Sequence, residues 1–318
     1  MKKSKILVTG SAGFIFSYFV RHVLRTTKEY NLVSVDKVTR DKGLKTIYIN
    51  PSHNFYLADV ADHHIINRIF EKERPDYVVQ GAAESHVDDS IAGAMPFIHS
   101  NVMGTQVITD ACVKYGVKKL VYISTDEVYG QLAATDKPWK EDSNLNPRNP
   151  YSASKLSGEL VVKAAGQTHG LNYNITRSCN NFGPRQSTKN LVPKIIKNII
   201  NKEDVPIYGQ GSQIREWIHV EDNCEAILKI LKAAPSNETY NISTGYEFSN
   251  LEMFNEICNI MEDGHQLIKF VKDREGHDFR YAIDSSKLRE LGWTPSFRFK
   301  EALKQVIFWY KGNQWYLE

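Results

Sequence analysis

Lys5-Ile6-Leu7-Val8-Thr9-Gly10-Ser11-Ala12-Gly13-Phe14-Ile15 joins a short apolar strand to an amphipathic helix through a turn that contains two glycines. Glycine permits a tight turn and lets the backbone approach a phosphate, whose charge is favoured by the N-terminus of a helix. A plain turn is the alternative, but the position directly after a first strand favours dinucleotide binding. We therefore predict that the pyrophosphate of a dinucleotide lies against Gly10, Gly13, Phe14 and Ile15.

Phe16 departs from the usual form of this turn. A third glycine is expected at this position, where it allows the helix and the strand to pack closely. We therefore expect the helix to tilt or shift locally, and the affinity for the cofactor to suffer.

Strand and helix patterns alternate through the first half of the chain. This alternation predicts an α/β fold, a Rossmann-type doubly wound parallel sheet with helices on both faces. The predicted strands are Lys5–Thr9, Asn31–Asp36, Asn54–Asp59, Tyr77–Gln80, Leu120–Ser124 and Asn172–Arg177. The predicted helices in this half are Phe14–Thr26, His63–Lys72, Ser100–Tyr115 and Tyr151–His169.

The rhythm loosens after about residue 180. Amphipathic helices are predicted at Leu191–Asn201, Glu221–Lys232, Asn250–Met261 and Phe299–Tyr310. We predict an NAD-binding Rossmann domain at residues 1–180 and a smaller mixed α/β substrate domain at residues 181–318, with some chain crossing between the two.

Composition excludes several classes of protein. The 318 residues include 40 basic and 37 acidic side chains, a formal net charge of +3 that gives no case for binding nucleic acid or a membrane surface. No apolar run approaches the roughly 18 residues of a membrane span. Four cysteines lie far apart in apolar settings, which predicts buried thiols, no metal site and a cytoplasmic location.

Asp36 ends the second predicted strand. A carboxylate there would accept hydrogen bonds from the adenosine ribose and repel a 2′-phosphate, so NAD is favoured over NADP. Lys37, which follows directly, weakens that preference, and a simple strand-end turn is the alternative. Asp59 and Val60 end the third strand, where adenine could bind, although a plain strand end is again the alternative.

Ser124-Thr125-Asp126-Glu127 closes an apolar run that reads as a buried parallel strand. Ligands of open α/β sheets bind beyond the carboxyl ends of the strands, so both carboxylates should face a substrate. Two adjacent carboxylates are costly at such a place unless they have a function. A helix-capping loop pair is the alternative interpretation.

Tyr151 and Lys155 lie four residues apart on a predicted helix, and hence on one face. The pKa of a free phenol is about 10, too high for a base at neutral pH. An ammonium, together with a positively charged nicotinamide, would lower the pKa of Tyr151. The phenolate could then take the proton of a substrate hydroxyl, although this spacing also occurs by chance in many helices.

Taken together, the chain resembles the extended short-chain dehydrogenases/reductases, and within them the nucleotide-sugar 4,6-dehydratases. The glycine turn and the Tyr151/Lys155 pair mark only the superfamily, whereas Thr125-Asp126-Glu127 is the specific part. The stretches that carry the resemblance are Ile6–Ile15, Gly81–Asp88, Ser124–Gly130, Tyr151–Lys155, Asn180–Pro184, Gly211–Val220 and Gly276–Tyr281.

The resemblance implies a chemical role for each catalytic residue. Tyr151 would deprotonate the glucose 4-hydroxyl while hydride passes from C4 to NAD. Glu127 would remove the proton on C5, and protonated Asp126 would donate to the departing 6-hydroxyl. Thr125 and Ser124 would hydrogen-bond near O4 and the phenol, and the product would be a 4-keto-6-deoxy sugar.

The resemblance also implies binding residues. Arg215 would bind the diphosphate and Asn180 the sugar or phosphate, while Arg274, His277 and Asn250 have surface charge or helix capping as alternatives. Asn181 would contact the nicotinamide side. Further residues expected along the cofactor are Gly81, Ala82, Ala83, Ser85, Ser100 and Asn101, with Ser85 also near the substrate.

Two features bear on substrate and assembly. The family usually shows a Pro-Glu-Lys step before a leucine, whereas this chain has Thr188-Lys189-Asn190, which leaves uracil or thymine open; UDP-glucose is weakly preferred and dTDP-glucose is next. Helices Ser100–Tyr115 and Leu156–His169 are those such folds use for a homodimer. The alternatives are a nucleotide-sugar 4-epimerase or decarboxylase and, from a different class, a non-enzymatic NAD-sensing protein.

Overall fold

In the part of the chain that the structure describes, the central sheet has seven parallel strands. The computed structural model describes residues 3–37, 47–274 and 276–317. The spatial order of the strands is β3-β2-β1-β4-β5-β6-β10, and every neighbouring pair is parallel. These strands are β1 (Ser4–Thr9), β2 (Tyr30–Asp36), β3 (His53–Leu57), β4 (Tyr77–Gln80), β5 (Lys119–Thr125), β6 (Tyr173–Ser178) and β10 (Glu238–Ile242).

Helices cover both faces of this sheet. Successive residues of a strand point to opposite faces, so Ile6 and Val8 join one apolar cluster and Leu7 joins another. Helices α1 and α7 pack together on the first face, and α2 and α5 each pack on α4 on the second. These helices are α1 (Phe14–Thr26), α2 (His63–Glu73), α4 (Gly104–Tyr115), α5 (Pro150–His169) and α7 (Val220–Ala233).

A second apolar core lies in the C-terminal half. Its helices bury a common set of side chains that includes Ile196, Phe254 and Leu303. The helices are α6 (Leu191–Asn201), α8 (Asn250–Met261) and α10 (Phe299–Gly312), with the short α9 (Ser286–Glu290) elsewhere in this half. Two small sheets accompany them, formed by β7 (Asn180–Phe182), β9 (Ile214–His219) and β11 (Glu247–Ser249), and by β8 (Val205–Tyr208) and β12 (Ile268–Val271).

The predicted fold class is confirmed, with differences at particular elements. The third strand ends at Leu57 rather than Asp59, and residues Ile98–Met103 form a π-helical segment before α4, so the helix predicted from Ser100 is not regular over its first turn. A short helix, α3 (Val87–Ala92), was not predicted. Strand β10 comes from beyond residue 180, so the sheet takes chain from both predicted domains; the division itself stays a prediction.

Candidate active site

One cleft runs along the carboxyl ends of the central strands. Its volume is about 1170 Å³, and it is lined by residues that end or directly follow β1, β2, β4 and β5, among them Gly10, Asp36, Gly81 and Thr125. The catalytic residues predicted from the sequence all line this cleft: Thr125, Asp126, Glu127, Tyr151 and Lys155. The predicted binding residues line it too, with the exception of Asn101. The fold therefore brings the predicted catalytic and binding residues together in one cleft.

The glycine turn brings the backbone close to the wall of the cleft. Gly10 has φ of +71°, and a Cβ on it would lie 2.9 Å from backbone atoms of Ala82. Only glycine fits both requirements. At the other side of the turn the Ala12 amide donates to Asp36 Oδ2 over 2.9 Å. The turn and the carboxylate expected to bind ribose are thus held together.

Phe16 is accommodated without a break in α1, which runs continuously from Phe14 to Thr26. The side chain is 5% exposed and packs in the core on Phe19 and over the backbone of Gly81. The volume of the ring is therefore taken up at Gly81.

Asn101 differs from its prediction. It is completely buried, its Oδ1 accepts from the Glu84 amide over 2.8 Å, and its Nδ2 donates to the Glu84 carbonyl and to Ser154 Oγ. The side chain therefore supports the wall of the cleft from behind. Lys37 lies on the inner side, where its ammonium is 2.7 Å from Glu84 Oε1 and donates to Ser100 Oγ.

The two carboxyl groups sit on a 3₁₀ turn, Asp126–Tyr129, that directly follows β5. Thr125 caps this turn, since its hydroxyl accepts from the Glu127 amide over 3.3 Å and donates to Asp126 Oδ1 over 3.1 Å. Asn149 Nδ2 donates to Glu127 Oε2 over 2.9 Å. Although they are adjacent, Asp126 accepts a hydrogen bond from a hydroxyl group and Glu127 accepts one from a side-chain amide.

The environment separates the two acids. Burial, and then the charge of Glu127, raise the pKa of Asp126 to about 8, so this carboxyl group is mainly protonated at neutral pH. Burial also raises the pKa of Glu127, but the hydrogen bond from Asn149 and the nearby Arg215 act in the opposite direction. The two adjacent carboxyl groups therefore have different surroundings, and only the pKa of Glu127 is opposed by an amide hydrogen bond from Asn149.

The phenol of Tyr151 lies within reach of both carboxyl groups and of Thr125. Burial first, and then the charge of Glu127, raise the pKa of Tyr151, while a hydrogen bond with Thr125 lowers it. The expectation that Lys155 and a bound nicotinamide together lower the pKa of Tyr151 stays a prediction. Burial lowers the pKa of Lys155 to about 7, and its ammonium lies 4.6 Å from the centre of the Tyr122 ring.

Several buried polar atoms of the cleft have no hydrogen-bond partner within the described part of the chain. Ser124 Oγ, Asp126 Oδ2 and Asn181 Oδ1 are among them. Buried polar atoms normally have a partner, so each of these is available to a ligand. They lie where the nicotinamide and the sugar are expected.

Arg215 is 8% exposed and held rigidly. Its guanidinium donates to the carbonyl groups of Ile214, Phe279 and Asp278 and lies 4.3 Å from the centre of the Tyr281 ring. The guanidinium is thus pre-organised at the wall of the cleft.

Arg274 and His277, which were predicted to bind substrate with surface charge as the alternative, each have an acidic partner in the structure. Arg274 forms a bidentate pair with Asp88 at 2.6 and 2.9 Å, and His277 Nδ1 lies 2.7 Å from Asp273. Asn250 and Asn180 line the same region. Asn250 is the first residue of α8 rather than its cap, which is Ser249.

Sequence reasoning missed two supporting residues. Asn149 is the N-cap of α5 and the hydrogen-bond donor to Glu127. Tyr281, the last residue of the stretch Gly276–Tyr281, packs its ring against the guanidinium of Arg215. The available signal for Asn149 was an amide side chain directly before Pro150, at the position where the N-cap of a helix is expected.

The cysteines, possible metal ligands and helix lengths bear on the remaining predictions. The cysteines are all free and buried, which confirms that prediction. Across the described ranges, no three His, Cys, Asp or Glu side chains are grouped so that they could hold a metal ion. None of the helices described there has the length and apolarity to span a membrane.

Comparison with known proteins places this chain in a family. The family model described as GDP-mannose 4,6 dehydratase matches residues 7–306. The low-salt glycan biosynthesis protein Agl12 of Haloferax volcanii is 44% identical, over 97% of this chain and 99% of the relative. The dTDP-glucose 4,6-dehydratase of Haemophilus influenzae is 40% identical, over 97% and 98%.

A solved structure shows the same likeness. DesIV, the dTDP-glucose 4,6-dehydratase of Streptomyces venezuelae, was solved with NAD and TYD bound. It superimposes with a TM-score of 0.94 at 37% identity, over 99% of this chain and 100% of that one.

Proposed function

Since the chain belongs to the GDP-mannose 4,6-dehydratase family, we propose that it is an NAD-dependent hydro-lyase that converts a nucleotide-activated glucose to the 4-keto-6-deoxy sugar. The observation that carries this proposal is the pair Asp126 and Glu127, adjacent in sequence but unlike in proton affinity, at the end of β5. Elimination of water across C5 and C6 needs both an acid and a base, and a simple 4-epimerase does not.

The residues of the cleft fit NAD. Gly10 leaves room that a side chain would fill, and Asp36 carries the carboxylate suited to ribose hydroxyls at the end of β2. When bound there, NAD would supply an acceptor for hydride from C4 and a donor of hydride to C6. Structures of the DesIV relative contain NAD, which supports the same cofactor here.

Tyr151 would begin the reaction by accepting the proton of the 4-hydroxyl. Its raised pKa means that the phenol holds its proton until a positive charge comes close, which prevents deprotonation before the cofactor is bound. Thr125 would orient the phenol. Lys155 would hold the ribose and provide a nearby ammonium.

The elimination step falls to the acid pair. The 4-ketone makes the proton on C5 acidic, Glu127 would remove it, and Asp126 would donate a proton to the leaving 6-hydroxyl as water departs. Asn149 and Arg215 favour the ionised form of Glu127, and burial keeps Asp126 protonated. The proton balance is closed: the protein takes one proton from O4 on Tyr151 and one from C5 on Glu127, and it gives one from Asp126 to the departing water and one from Glu127 back to C5 as hydride returns to C6.

For the nucleotide, we propose dTDP-glucose. The weak sequence-based preference for UDP-glucose has no support among the relatives, whereas several relatives are named for dTDP-glucose.

Residues 1–180 would bind mainly NAD and residues 181–318 mainly the nucleotide sugar. Met103, at the end of the π-helical segment that leads into α4, and Leu160 on α5 are apolar and exposed, which supports a homodimer through the packed helices α4 and α5.

A single assay tests the function. The protein is incubated with NAD and, separately, with dTDP-glucose and UDP-glucose, and the sugar nucleotide is followed by mass spectrometry in deuterated water. We expect loss of one water molecule and deuterium at C5, faster with dTDP-glucose. A product of unchanged mass with inverted C4 would instead show an epimerase, and Glu127→Gln at full rate would refute the role of Glu127.

A further inference from the structure

Lys194 occupies the first turn of α6 at the substrate side of the cleft. The helix begins at Leu191 after the N-cap Asn190, and the amide of Lys194 donates to the Asn190 carbonyl over 3.0 Å. The Lys194 side chain is half-buried and lines the cleft together with Asn190, Leu191 and Tyr208. The first turn of α6 contains no acidic residue.

The other cationic side chains of the cleft already have partners. Each is held by a carboxylate, by carbonyl groups or by aromatic and hydroxyl groups, so its charge is wholly or partly matched within the protein. The pairs are Lys37 with Glu84, Lys189 with Asp89, Arg274 with Asp88, Arg215 with three carbonyl groups, Arg185 with Tyr18 and Trp309, and Lys155 with the Tyr122 ring.

Lys194 is different. Among the described residues, no hydrogen bond, ion pair or ring contact is made by its ammonium. A half-buried cation that lines a ligand cleft without a counter-charge is suited to an anionic ligand, because a charge-assisted hydrogen bond is then formed without breaking another. We propose that Lys194 binds the diphosphate group of the nucleotide sugar, a proposal that rests on the function proposed above.

Lys194 also bears on the Thr188-Lys189-Asn190 step, which replaces the Pro-Glu-Lys step that the family usually shows. Asn190 stands where the family usually has a lysine, and Lys189 is turned to Asp89 with an ammonium–carboxylate distance of 2.7 Å. The N-cap Asn190 and Lys194 are one helical turn apart, joined by the hydrogen bond from the Lys194 amide, which corresponds to about 5 Å along the helix axis. A flexible lysine side chain bridges that distance, and the positive charge missing at residue 190 is regained one turn later.

The test compares diphosphate with nucleoside binding. Affinities of wild type and Lys194→Met for dTDP, UDP and thymidine are measured by calorimetry with NAD present. We expect Lys194→Met to weaken binding of the nucleoside diphosphate about ten- to a hundredfold, the effect of losing one charge-assisted hydrogen bond. Binding of thymidine should be unchanged, and in turnover KM should rise while kcat changes little.

Matched variants separate charge from structure. Lys197→Met removes a lysine from the same helix outside the cleft and should bind dTDP as wild type does. Asn190→Lys combined with Lys194→Met returns the charge to the same face and should restore most of the affinity. Wild-type dTDP affinity in Lys194→Met, or equal weakening for thymidine and dTDP, would overturn the proposal. A wild type that binds NAD but neither nucleoside diphosphate would reject the proposed function as well.

Discussion

The ring of Phe16 occupies the space that a side chain at residue 81 would need: a Cβ built on Gly81 would lie 2.1 Å from Cε2 of Phe16. The backbone of Gly81 does not require glycine, since its φ lies outside the left-handed region. Glycine is needed there only to make room. The missing glycine of the cofactor turn is thus matched by a glycine at the end of the neighbouring strand β4.

Gly81→Ala should therefore lower the free energy of unfolding by about 1–3 kcal/mol, the usual effect of overpacking. Combining it with Phe16→Ala should make the methyl group harmless, so that the two changes are strongly non-additive in a double-mutant cycle. Urea unfolding measures all three variants. Gly93→Ala is the control, since a Cβ there meets no atom within 4 Å; equal effects at residues 81 and 93 would contradict the argument.

Asp126 predicts how the rate and the stability change with pH. As a proton donor it must be protonated, so kcat should fall as pH rises through about 8. Because its pKa is raised in the folded state, the folded protein binds more protons, and stability is lost as pH rises from about 4 to about 8. Asp126→Asn should abolish most activity yet gain in melting temperature over wild type as pH rises from 5 to 9.

Asn149 sets the acidic limb of the same profile. Its amide lowers the pKa of Glu127, which must be ionised to act as a base. Asn149→Asp keeps a capping oxygen for α5 but replaces the donor with a negative charge, so the pKa of Glu127 and the acidic limb of kcat should both move to higher pH. Asn149→Ser keeps the cap with a shorter side chain and should produce a smaller shift in that direction. A limb that does not move would exclude Glu127 as its origin.

A buried ion pair joins the two catalytic elements. Arg177 on β6 donates to both oxygens of Glu159 on α5, at 3.0 and 2.7 Å, and to Tyr129 in the turn that carries the acids. Arg177→Met leaves a fully buried carboxylate with only the half-exposed ammonium of Lys163, 3.9 Å away, and should lower the free energy of unfolding by about 3–5 kcal/mol. Adding Glu159→Leu should recover part of that loss.

Lys163 provides the control for this pair. Its ammonium lies 3.9 Å from the same carboxylate, but its side chain is 36% exposed. Lys163→Met should change the free energy of unfolding by less than about 1 kcal/mol. A loss as large as that of Arg177→Met, measured by chemical unfolding, would show that burial of the partner does not decide the outcome.

The sequence predicted those features that follow from local patterns. Strand Tyr77–Gln80 and helices α1, α6 and α8 have the predicted bounds, because alternating or helical periodicity is visible within one window. The cleft residues were predicted because strand ends converge at one edge of a parallel sheet. The place of β10 was not predicted, since it depends on pairing with β6 across some sixty residues. The accommodation of Phe16 likewise depends on a contact with residue 81.

The edge position of β10 also affects how the protein is made. Strand β6 leaves the ribosome well before β10, which follows α7 in the chain. Until then one edge of the nascent sheet exposes unpaired backbone groups, and the face under α7 is uncovered. Residues released on their own up to about position 180 would therefore be prone to aggregate, and the cofactor half completes its folding only when most of the chain has been translated.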